Sequence, residues 1–245
     1  MTAAEGKIVL VTGGARRLGA VIARRFADAG AAVVIHVLKS AAAARKLVSE
    51  LPGGISRHRV VTADLGDPAG PEALFASLEG AAPDILVNSA AAYGRGGLFE
   101  SDSDEYRRFM QVNFISPLEL MRRFAASSRR PDRAVVNILD ACAGAPPLGA
   151  YSLSKRALRD ATVEAAAGLG REYGIRVNGV APGPVLAPEG TVNPLRESRL
   201  VSVLGRTPEP GEVAEAVFYM AFNPALTGVI LPVDAGFRLG MERRR

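Results

Sequence analysis

Short apolar runs alternate along the chain with longer segments in which apolar and polar residues follow a helical period. The apolar runs are rich in Val, Ile and Leu and show little internal alternation, which is typical of parallel strands buried on both faces. Seven such strands are predicted, at residues 8–11, 32–37, 58–62, 84–87, 133–139, 175–180 and 229–233. Helices are predicted between them, at residues 18–29, 41–51, 68–78, 104–127, 150–172 and 211–222.

Strands and helices that alternate with right-handed crossovers build a parallel sheet covered on both sides. The predicted fold class is therefore α/β, a single-domain Rossmann-type doubly wound parallel sheet of seven strands with helices on both faces. The whole chain, residues 1–245, is expected to form one domain. Residues 184–204 are rich in Pro, Gly and polar side chains, and we predict that they form a mobile flap over a ligand site.

The first strand runs into a glycine-rich turn, TGGARRLG at residues 12–19, and then into a helix. In that arrangement the glycines let the backbone approach a pyrophosphate, and the helix N-terminus offers N–H groups and a positive dipole. The turn therefore predicts dinucleotide binding. The candidate cofactor contacts in it are Gly13, Arg16, Arg17, Leu18 and Gly19.

The end of the second strand distinguishes the two nicotinamide dinucleotides. An NAD site usually has a carboxylate there for the ribose 2′-hydroxyl. This chain instead has His36, followed by Lys39 and Ser40, and Arg17 in the turn adds a further donor. Donors without an acid favour a 2′-phosphate, so the predicted cofactor is NADP(H). The alternative is a solvated loop lysine with a histidine that is there by chance.

Other cofactor contacts are expected beyond the carboxyl ends of the following strands, where open α/β sheets bind ligands. Asp64 is a candidate for the adenine amino group, and small residues after the fourth strand would let the backbone lie against the nicotinamide ribose. The candidate contacts of this group are Asp64, Leu65, Asn88, Ala90, Pro182 and Gly183.

Tyr151 and Lys155 are four residues apart at the start of a predicted helix, so their side chains share one face. An ammonium beside a phenol favours the phenolate and should lower the tyrosine pKa below its usual ~10. Tyr151 would then be a usable proton donor or acceptor near neutral pH. Tyr151 and Lys155 are also candidate cofactor contacts. A pair with this spacing is common by chance, and the alternative is a packed tyrosine with a solvated lysine.

Composition narrows the possible partners to a small molecule. No apolar run reaches the ~18 residues of a membrane span, and the basic residues are scattered, which argues against membrane and nucleic acid. His36 and His58 lack ligand spacing, so no metal is expected. The single cysteine, Cys142, and the early first strand, which leaves no room for a signal peptide, favour the cytoplasm.

Taken together, these motifs resemble the short-chain dehydrogenase/reductase family over essentially the whole chain. The resemblance implies an NADP-binding oxidoreductase domain in which Asn113, Tyr151 and Lys155 are catalytic. Tyr151 would be the acid, Lys155 would bind the nicotinamide ribose, and Asn113 would support a water that feeds protons to the lysine. The matching stretches are TGGARRLG, ADL, the Asn88 loop, Asn113, YSLSK, IRVNGVAPGP and the closing VDAGF.

The resemblance also implies a homotetramer, in which the long helices at 104–127 and 150–172 pack against a symmetry mate. The sequence supports this through apolar residues on the first of these helices, most of which could equally belong to the core. These residues are Phe109, Phe114, Leu118, Leu120 and Met121.

Asp140 occupies the position at which the family usually has a catalytic serine. Pteridine reductases also have an aspartate there, and three further features are similar to that branch. The first is an arginine, Arg17, in place of the middle glycine of the turn. The second is an aromatic residue, Tyr93, five positions after the loop asparagine. The third is the order His, two residues, a basic residue and Ser-Ala-Ala at the second strand, here His36, Lys39, Ser40, Ala41 and Ala42.

The leading hypothesis is an NADPH-dependent reductase that transfers hydride to a pteridine-type C=N bond. Arg17, Tyr93, Asp140 and Tyr151 would bind the substrate, and Asp140 would join the catalytic residues. A carboxyl beside Tyr151 can bond the amino and ring-nitrogen edge of a pterin or supply a proton during its reduction.

Two alternatives stay open. One is an NADP(H)-dependent keto-reductase or alcohol dehydrogenase with another carbonyl substrate, in which Asp140 only orients Tyr151. The flap at residues 184–204 would decide between the pteridine substrate and this alternative. Leu186 and Ala187 stand where many family members have a threonine, so that residue's contact with the carboxamide is not expected here. The other is a non-catalytic dinucleotide sensor, which would not need Asn113, Tyr151 and Lys155.

Overall fold

A computed structural model describes residues 4–94, 96–143, 149–186 and 195–242. The apolar runs form a seven-stranded sheet in the order β3-β2-β1-β4-β5-β6-β7, and every pairing is parallel. The predicted fold class is confirmed. The strands are β1 (Ile8–Thr12), β2 (Ala32–Val37), β3 (Arg59–Thr62), β4 (Ile85–Asn88), β5 (Ala134–Ile138), β6 (Arg176–Pro182) and β7 (Ile230–Val233).

Helices cover both faces of the sheet and bury its apolar side chains, each worth ~1.5–3 kcal/mol when fully buried. One face packs against α1 (Arg17–Asp28), α2 (Ala41–Glu50) and α9 (Pro210–Phe222), and the other against α4 (Gly70–Ala76), α6 (Ser116–Ala126) and α7 (Ala150–Tyr173). The remaining helices are α3 (Gly54–Arg57), α5 (Ser103–Met110), α8 (Leu195–Val201) and α10 (Phe237–Glu242).

The chain reverses its direction of travel across the sheet at β1, which lies between β2 and β4. Ligands of open α/β sheets bind at such a switch point, beyond the carboxyl ends of the strands. The glycine turn after β1 and the loop after β4 therefore lie side by side at one end of the sheet.

The long helix predicted at 104–127 is continuous from α5 to α6 but is not α-helical throughout. Residues Gln111–Ile115 form a π-helical turn between the two. Asn113 lies in this turn and is fully buried. The wider turn is what directs the Asn113 side chain inward, and π turns of this kind occur frequently at functional sites.

The apolar residues that were expected to face a symmetry mate belong mostly to the core. Phe109, Leu120 and Met121 are buried, and Phe114 packs beside a small cluster around Leu139. Their placement fits the alternative that most of this set belongs to the core, and the interface stays a prediction. Leu118 is exposed over 41% of its surface, and its neighbour Ile115 over 40%, so an outward apolar face is left.

The predicted flap at 184–204 contains the short helix α8, and its residues 187–194 lie outside the described part. Two bonds attach the end of this segment to the C-terminal part of the chain, from Ser202 Oγ to the Ala235 carbonyl at 2.5 Å and from the Leu204 N–H to the same oxygen at 3.2 Å. The helices α8 and α10 touch so closely that a Cβ on Gly240 would collide with the Val201 carbonyl oxygen. The C-terminal helix therefore fixes where α8 lies.

Two features are absent from the described residues. Among them there is no helix long and apolar enough to cross a membrane. Within the same ranges there is no group of His, Cys, Asp and Glu side chains that could hold a metal ion.

Candidate active site

Asp140 and Tyr151 meet at the carboxyl end of β5. Asp140 follows that strand by two residues, and Tyr151 is the second residue of α7, so two rigid elements position the pair. The Tyr151 hydroxyl donates to Asp140 Oδ2 at 2.9 Å. The Cys142 N–H donates to Asp140 Oδ1 at 2.6 Å, which fixes the orientation of the carboxyl group. The structure thus brings together the two residues on which the substrate hypothesis depends.

The pKa of Tyr151 moves in the direction opposite to the prediction. Burial raises the pKa of this phenol well above its usual range, and the charge and hydrogen bond of Asp140 raise it further. The prediction assumed that the lysine would be the nearest charge. A phenol bonded to a carboxylate keeps its proton, because ionisation would place two negative charges together. Tyr151 is therefore a proton donor at neutral pH.

Lys155 is buried, at 4% exposure, one turn after Tyr151. Its Nζ donates to the Ile138 carbonyl at 2.8 Å. Burial lowers the pKa of Lys155 to about 8, although the charge of Asp140 acts in the opposite direction. The ammonium is thus close to losing its proton under mildly alkaline conditions.

Asn113 fastens the loop after β4 to the helix that carries Tyr151. Its Oδ1 accepts from the Ala92 N–H at 2.8 Å, and its Nδ2 donates to the Ala92 carbonyl at 2.9 Å and to Ser154 Oγ at 3.0 Å. Ser154 Oγ in turn donates to the Tyr151 carbonyl at 2.6 Å. The predicted part of Asn113 in a proton relay stays a prediction, and its positioning of Ala92 is an additional role.

Two aromatic rings surround the Tyr151 ring. The Tyr93 ring centroid lies 5.0 Å away and the Phe109 centroid 6.5 Å away, both edge to face. Phe109 is buried, whereas Tyr93 is 57% exposed. A flat substrate that binds beside the Tyr151 hydroxyl would lie next to the exposed Tyr93 ring.

The glycine turn is shaped by how closely its backbone approaches neighbouring segments. Gly13 has a φ of +63°, and a Cβ there would lie 2.9 Å from Ala90 Cα. A Cβ on Gly19 would collide with the Gly13 carbonyl, so α1 packs directly on the turn. Thr12 Oγ1 accepts from the N–H groups of Ser89 and Ala90 at 2.9 and 3.0 Å. The turn and the loop after β4 thus form one rigid unit.

Arg17 has a φ of +52°, in the left-handed region that favours glycine. This conformation is the physical reason why the resembling family usually has a glycine at that position. Arg17 is exposed, and its guanidinium donates to the Leu186 carbonyl at 3.5 Å, at the start of the predicted flap. The side chain therefore reaches from the cofactor turn towards the substrate side.

Two helix N-termini fit the phosphates of NADP. The N-cap residues are Arg16 for α1 and Ser40 for α2, and in the described structure neither side chain caps its helix. Neither first turn contains an acidic residue, so both ends suit an anion. Lys39, exposed just before α2, could reach the 2′-phosphate, and Arg16, Leu18 and Gly19 border the pyrophosphate end.

His36 does not offer a donor to the 2′-phosphate, contrary to the prediction. The ring is 2% exposed, Nδ1 accepts from the Gly13 N–H at 3.3 Å, and Nε2 bonds to the Ala63 carbonyl at 3.1 Å. A histidine in this position lies beneath the turn, because both ring nitrogens already bond within the protein.

The other candidate cofactor contacts divide into those near the ligand edge and those within the sheet. Asp64 is exposed, and its Oδ1 accepts from the Gly66 N–H at 2.8 Å. Leu65 is buried, and its carbonyl accepts from Ser116. Asn88 is buried and donates to Asn137 Oδ1 at 2.8 Å, so it joins β4 to β5. Ala90, Pro182 and Gly183 border the carboxyl ends of β1 and β6.

Three further polar residues of the site were not predicted from the sequence. Thr12 and Ser154 fasten backbone segments that carry predicted residues, and small hydroxyl side chains at a strand end or in a helix are the only signal they give. Cys142 lies between two carboxylates. Burial, together with the charges of Asp140 and Asp234, raises the pKa of its thiol to about 12, so it stays protonated.

The family can now be assigned. A family model described as enoyl-(acyl carrier protein) reductase matches residues 13–238, which include the turn, the Asp140–Tyr151 pair and Gly183. The chain belongs to the short-chain dehydrogenase/reductase family. It is accordingly an NAD(P)-dependent oxidoreductase, and NADP is its cofactor, in agreement with the two anion-binding helix ends.

Relatives of this oxidoreductase are named for different substrates. Pteridine reductase 1 of Leishmania tarentolae is 29% identical, with 97% of this chain and 98% of that protein covered. The FolM alternative dihydrofolate reductase 1 of Brucella suis, solved with NADP, is 32% identical with a TM-score of 0.87 (98% and 97% covered). The angucycline C-6 ketoreductase LanV, solved with NADP, is 30% identical with a TM-score of 0.88 (97% and 98% covered). Other relatives of similar identity are dehydrogenases named for alcohols and sugars.

Proposed function

We propose that this reductase uses NADPH to reduce a C=N bond of a pteridine-type substrate. The observation that carries the proposal is the carboxyl group of Asp140 bonded to the hydroxyl of Tyr151 at 2.9 Å. A hydroxyl at that position could both donate and accept, whereas an ionised carboxylate only accepts. The site therefore favours a substrate that presents N–H donors.

A pterin edge meets this requirement, because its amino group and ring N–H both donate. A ketone oxygen has only lone pairs, so a carboxylate 2.9 Å from the acid would repel it and compete for the tyrosine proton. Desolvation at a partly buried site strengthens both effects. The chemistry of Asp140 thus supports a nitrogen heterocycle over a simple carbonyl substrate.

Each remaining site residue has a part in this reaction. Bound NADPH supplies the hydride. Tyr151 keeps its proton at neutral pH and donates it to the reduced ring, while Asp140 holds the N–H edge of the substrate. Lys155 contributes positive charge next to the nicotinamide ribose, and Asn113 holds Ala92 in place. Tyr93 packs against the flat ring, and Arg17 reaches towards it from the turn.

The alternative, reduction of a carbonyl group, is supported by the likeness to an angucycline ketoreductase. In that case Asp140 would orient Tyr151 through their hydrogen bond without contacting substrate. The likenesses to a pteridine reductase and to an alternative dihydrofolate reductase support the first proposal to a similar degree. The two candidate functions differ in the substrate that the enzyme turns over.

The direct test measures NADPH oxidation with dihydropterins, dihydrofolate, quinonoid pterin and simple ketones. The pteridine proposal expects turnover with at least one pterin at a kcat/KM well above that of every ketone. Turnover confined to ketones would refute it and favour the alternative.

The sharper test replaces Asp140 by Ser, the usual residue of the family. We expect Asp140→Ser to lose pterin turnover while the Kd for NADPH stays unchanged, since the carboxyl group faces the substrate. Activity on simple ketones should be kept or gained. Unchanged pterin turnover would mean that the aspartate is incidental, and an equal loss on all substrates with a lower Tm would mean that it is structural.

We also propose that the enzyme is a homotetramer. Leu118 and Ile115 form an outward apolar face on the helix pair expected at the interface, each about two-fifths exposed. Light scattering at micromolar concentration should give the tetramer mass. A monomer would refute this proposal without touching the proposed reaction.

A further inference from the structure

His36 holds the glycine turn at two consecutive points. Its carbonyl accepts from the Gly14 N–H at 3.1 Å, and its ring Nδ1 accepts from the Gly13 N–H at 3.3 Å. Gly13 has a φ of +63° at this point of the turn. One residue therefore satisfies two consecutive donors, the Gly13 N–H through its side chain and the Gly14 N–H through its backbone carbonyl.

The same ring also bonds to the residue that follows β3. Nε2 lies 3.1 Å from the Ala63 carbonyl, and Ala63 immediately precedes the candidate adenine contact Asp64. The Ala63 N–H is itself bonded to the Val37 carbonyl at 3.2 Å, so this segment cannot move independently of β2. His36 thus connects the pyrophosphate turn to the segment beside the adenine.

The two ring partners determine the state of the imidazole. A backbone N–H can only donate, so Nδ1 must carry a lone pair, and a carbonyl can only accept, so Nε2 must carry the proton. A second proton on Nδ1 would point at the Gly13 N–H and break that bond. The turn in this conformation is therefore compatible only with the neutral Nε2–H tautomer.

The surroundings of the ring support the neutral form. Burial lowers the pKa of His36 below its usual value, while the bond to Ala63 and the charge of Asp64 act in the opposite direction. The uncharged strand residues Thr12 and Val61 are its partners in register on either side. Asp64 is the charged group that acts on the ring, and its effect on the pKa of His36 is smaller than that of burial.

We infer that His36 is a positioning residue for NADPH, which acts through the glycine turn in its neutral Nε2–H form and does not contact the 2′-phosphate. Protonation of the ring releases the Gly13 N–H and loosens the turn. The inference concerns cofactor binding and is independent of the proposed substrate.

A comparison of NADPH with NADH separates this role from direct phosphate binding, because only NADPH has the 2′-phosphate. Replacing His36 by Phe fills the space without either ring bond. We expect His36→Phe to weaken NADPH and NADH by the same factor, about three- to tenfold for lost hydrogen bonds, so that their ratio of Kd values is unchanged. A direct phosphate ligand would instead lose NADPH affinity alone, and that result would overturn the inference.

A matched variant tests the protonation step without relying on His36→Phe to fold. Gln can donate and accept at the same time but does not titrate, so His36→Gln should keep most of the affinity. In the unmodified protein, the Kd for NADH, measured from about pH 8 to about pH 5.5, should increase once the pH is below ~6.5, the usual pKa of histidine. The rise should be absent in His36→Gln. Identical pH profiles of the two proteins would overturn the inference.

Discussion

The two ends of the active-site cleft are built on different physical principles. At the cofactor end the turn after β1 is held by backbone N–H groups, by the space that glycines leave, and by the neutral side chains Thr12 and His36. At the substrate end, the charge of Asp140 raises the pKa values of both Tyr151 and Lys155. Close backbone packing therefore sets the form of the turn, whereas the charge of a neighbouring carboxyl group affects the protonation states at the substrate end.

This difference indicates where substitutions will act. A change at the cofactor end should alter affinity for NADPH and leave the chemical step alone. A change in Asp140 or in the Tyr151 hydroxyl should alter rate and pH dependence and leave cofactor affinity nearly unchanged, whereas Lys155 is expected beside the nicotinamide ribose and belongs to both ends. Variants that violate this division would show that the two ends are coupled.

Tyr151→Phe should have the largest effect. The substitution removes the proton donor and keeps the ring between Tyr93 and Phe109. We expect kcat to fall by roughly 10²-fold or more, since general acid catalysis contributes that much. The Kd for NADPH, measured by fluorescence titration, should stay the same. A comparable loss of NADPH affinity would contradict the separation of the two ends.

Lys39→Asp tests the cofactor end. The unmodified protein should bind NADPH at least about tenfold more tightly than NADH, because charge-assisted bonds to the 2′-phosphate are worth ~1.4 kcal/mol or more together. An aspartate before α2 would repel the phosphate and accept from a ribose hydroxyl, so the preference should narrow or invert. Equal affinities in the unmodified protein would refute the assigned role of Lys39.

The pH profile tests the coupling within the substrate end. If the Lys155 ammonium is required, kcat/KM should fall about tenfold per pH unit above its pKa of about 8. The charge of Asp140 stabilises the protonated lysine. In Asp140→Ser the alkaline limb of the profile, where kcat/KM falls, should therefore begin at a lower pH, measured on whichever substrate this variant still turns over. A limb that does not move would mean that another group is titrating.

Gly240→Ala should have the smallest effect. The new methyl group would collide with the Val201 carbonyl and displace α8, which belongs to the predicted flap. We expect the KM for substrate to rise by about fivefold, with the NADPH Kd unchanged. Gly168→Ala is the matched control, because a Cβ there meets no atom within 4 Å. An unchanged KM would show that α10 does not position the flap.

The sequence predicts the sheet and the glycine turn well, because strand and helix periods and glycine positions depend on local physics. It misassigns His36 and the direction of the Tyr151 pKa because both depend on partners far along the chain. A histidine at the end of β2 is recognisable as polar, but its burial beneath Gly13 depends on how β1 and β2 pair. The phenol pKa depends on Asp140, whose carboxyl group reaches Tyr151 only once β5 and α7 have packed.

The number of residues in the π-helical turn at Gln111–Ile115 is itself a feature of the site. A π turn contains about one residue more than an α turn, so removing one residue there would leave an uninterrupted helix. The helices α5 and α6 would keep their relative orientation, because the wider turn absorbs the extra residue, and Phe109 would stay beside Tyr151. Asn113 would instead leave the position from which it bonds to Ala92 and Ser154. A deletion in this turn should therefore loosen the loop after β4 even if it spares Asn113 itself, so the number of residues in the turn is as much a part of the enzyme as their identity.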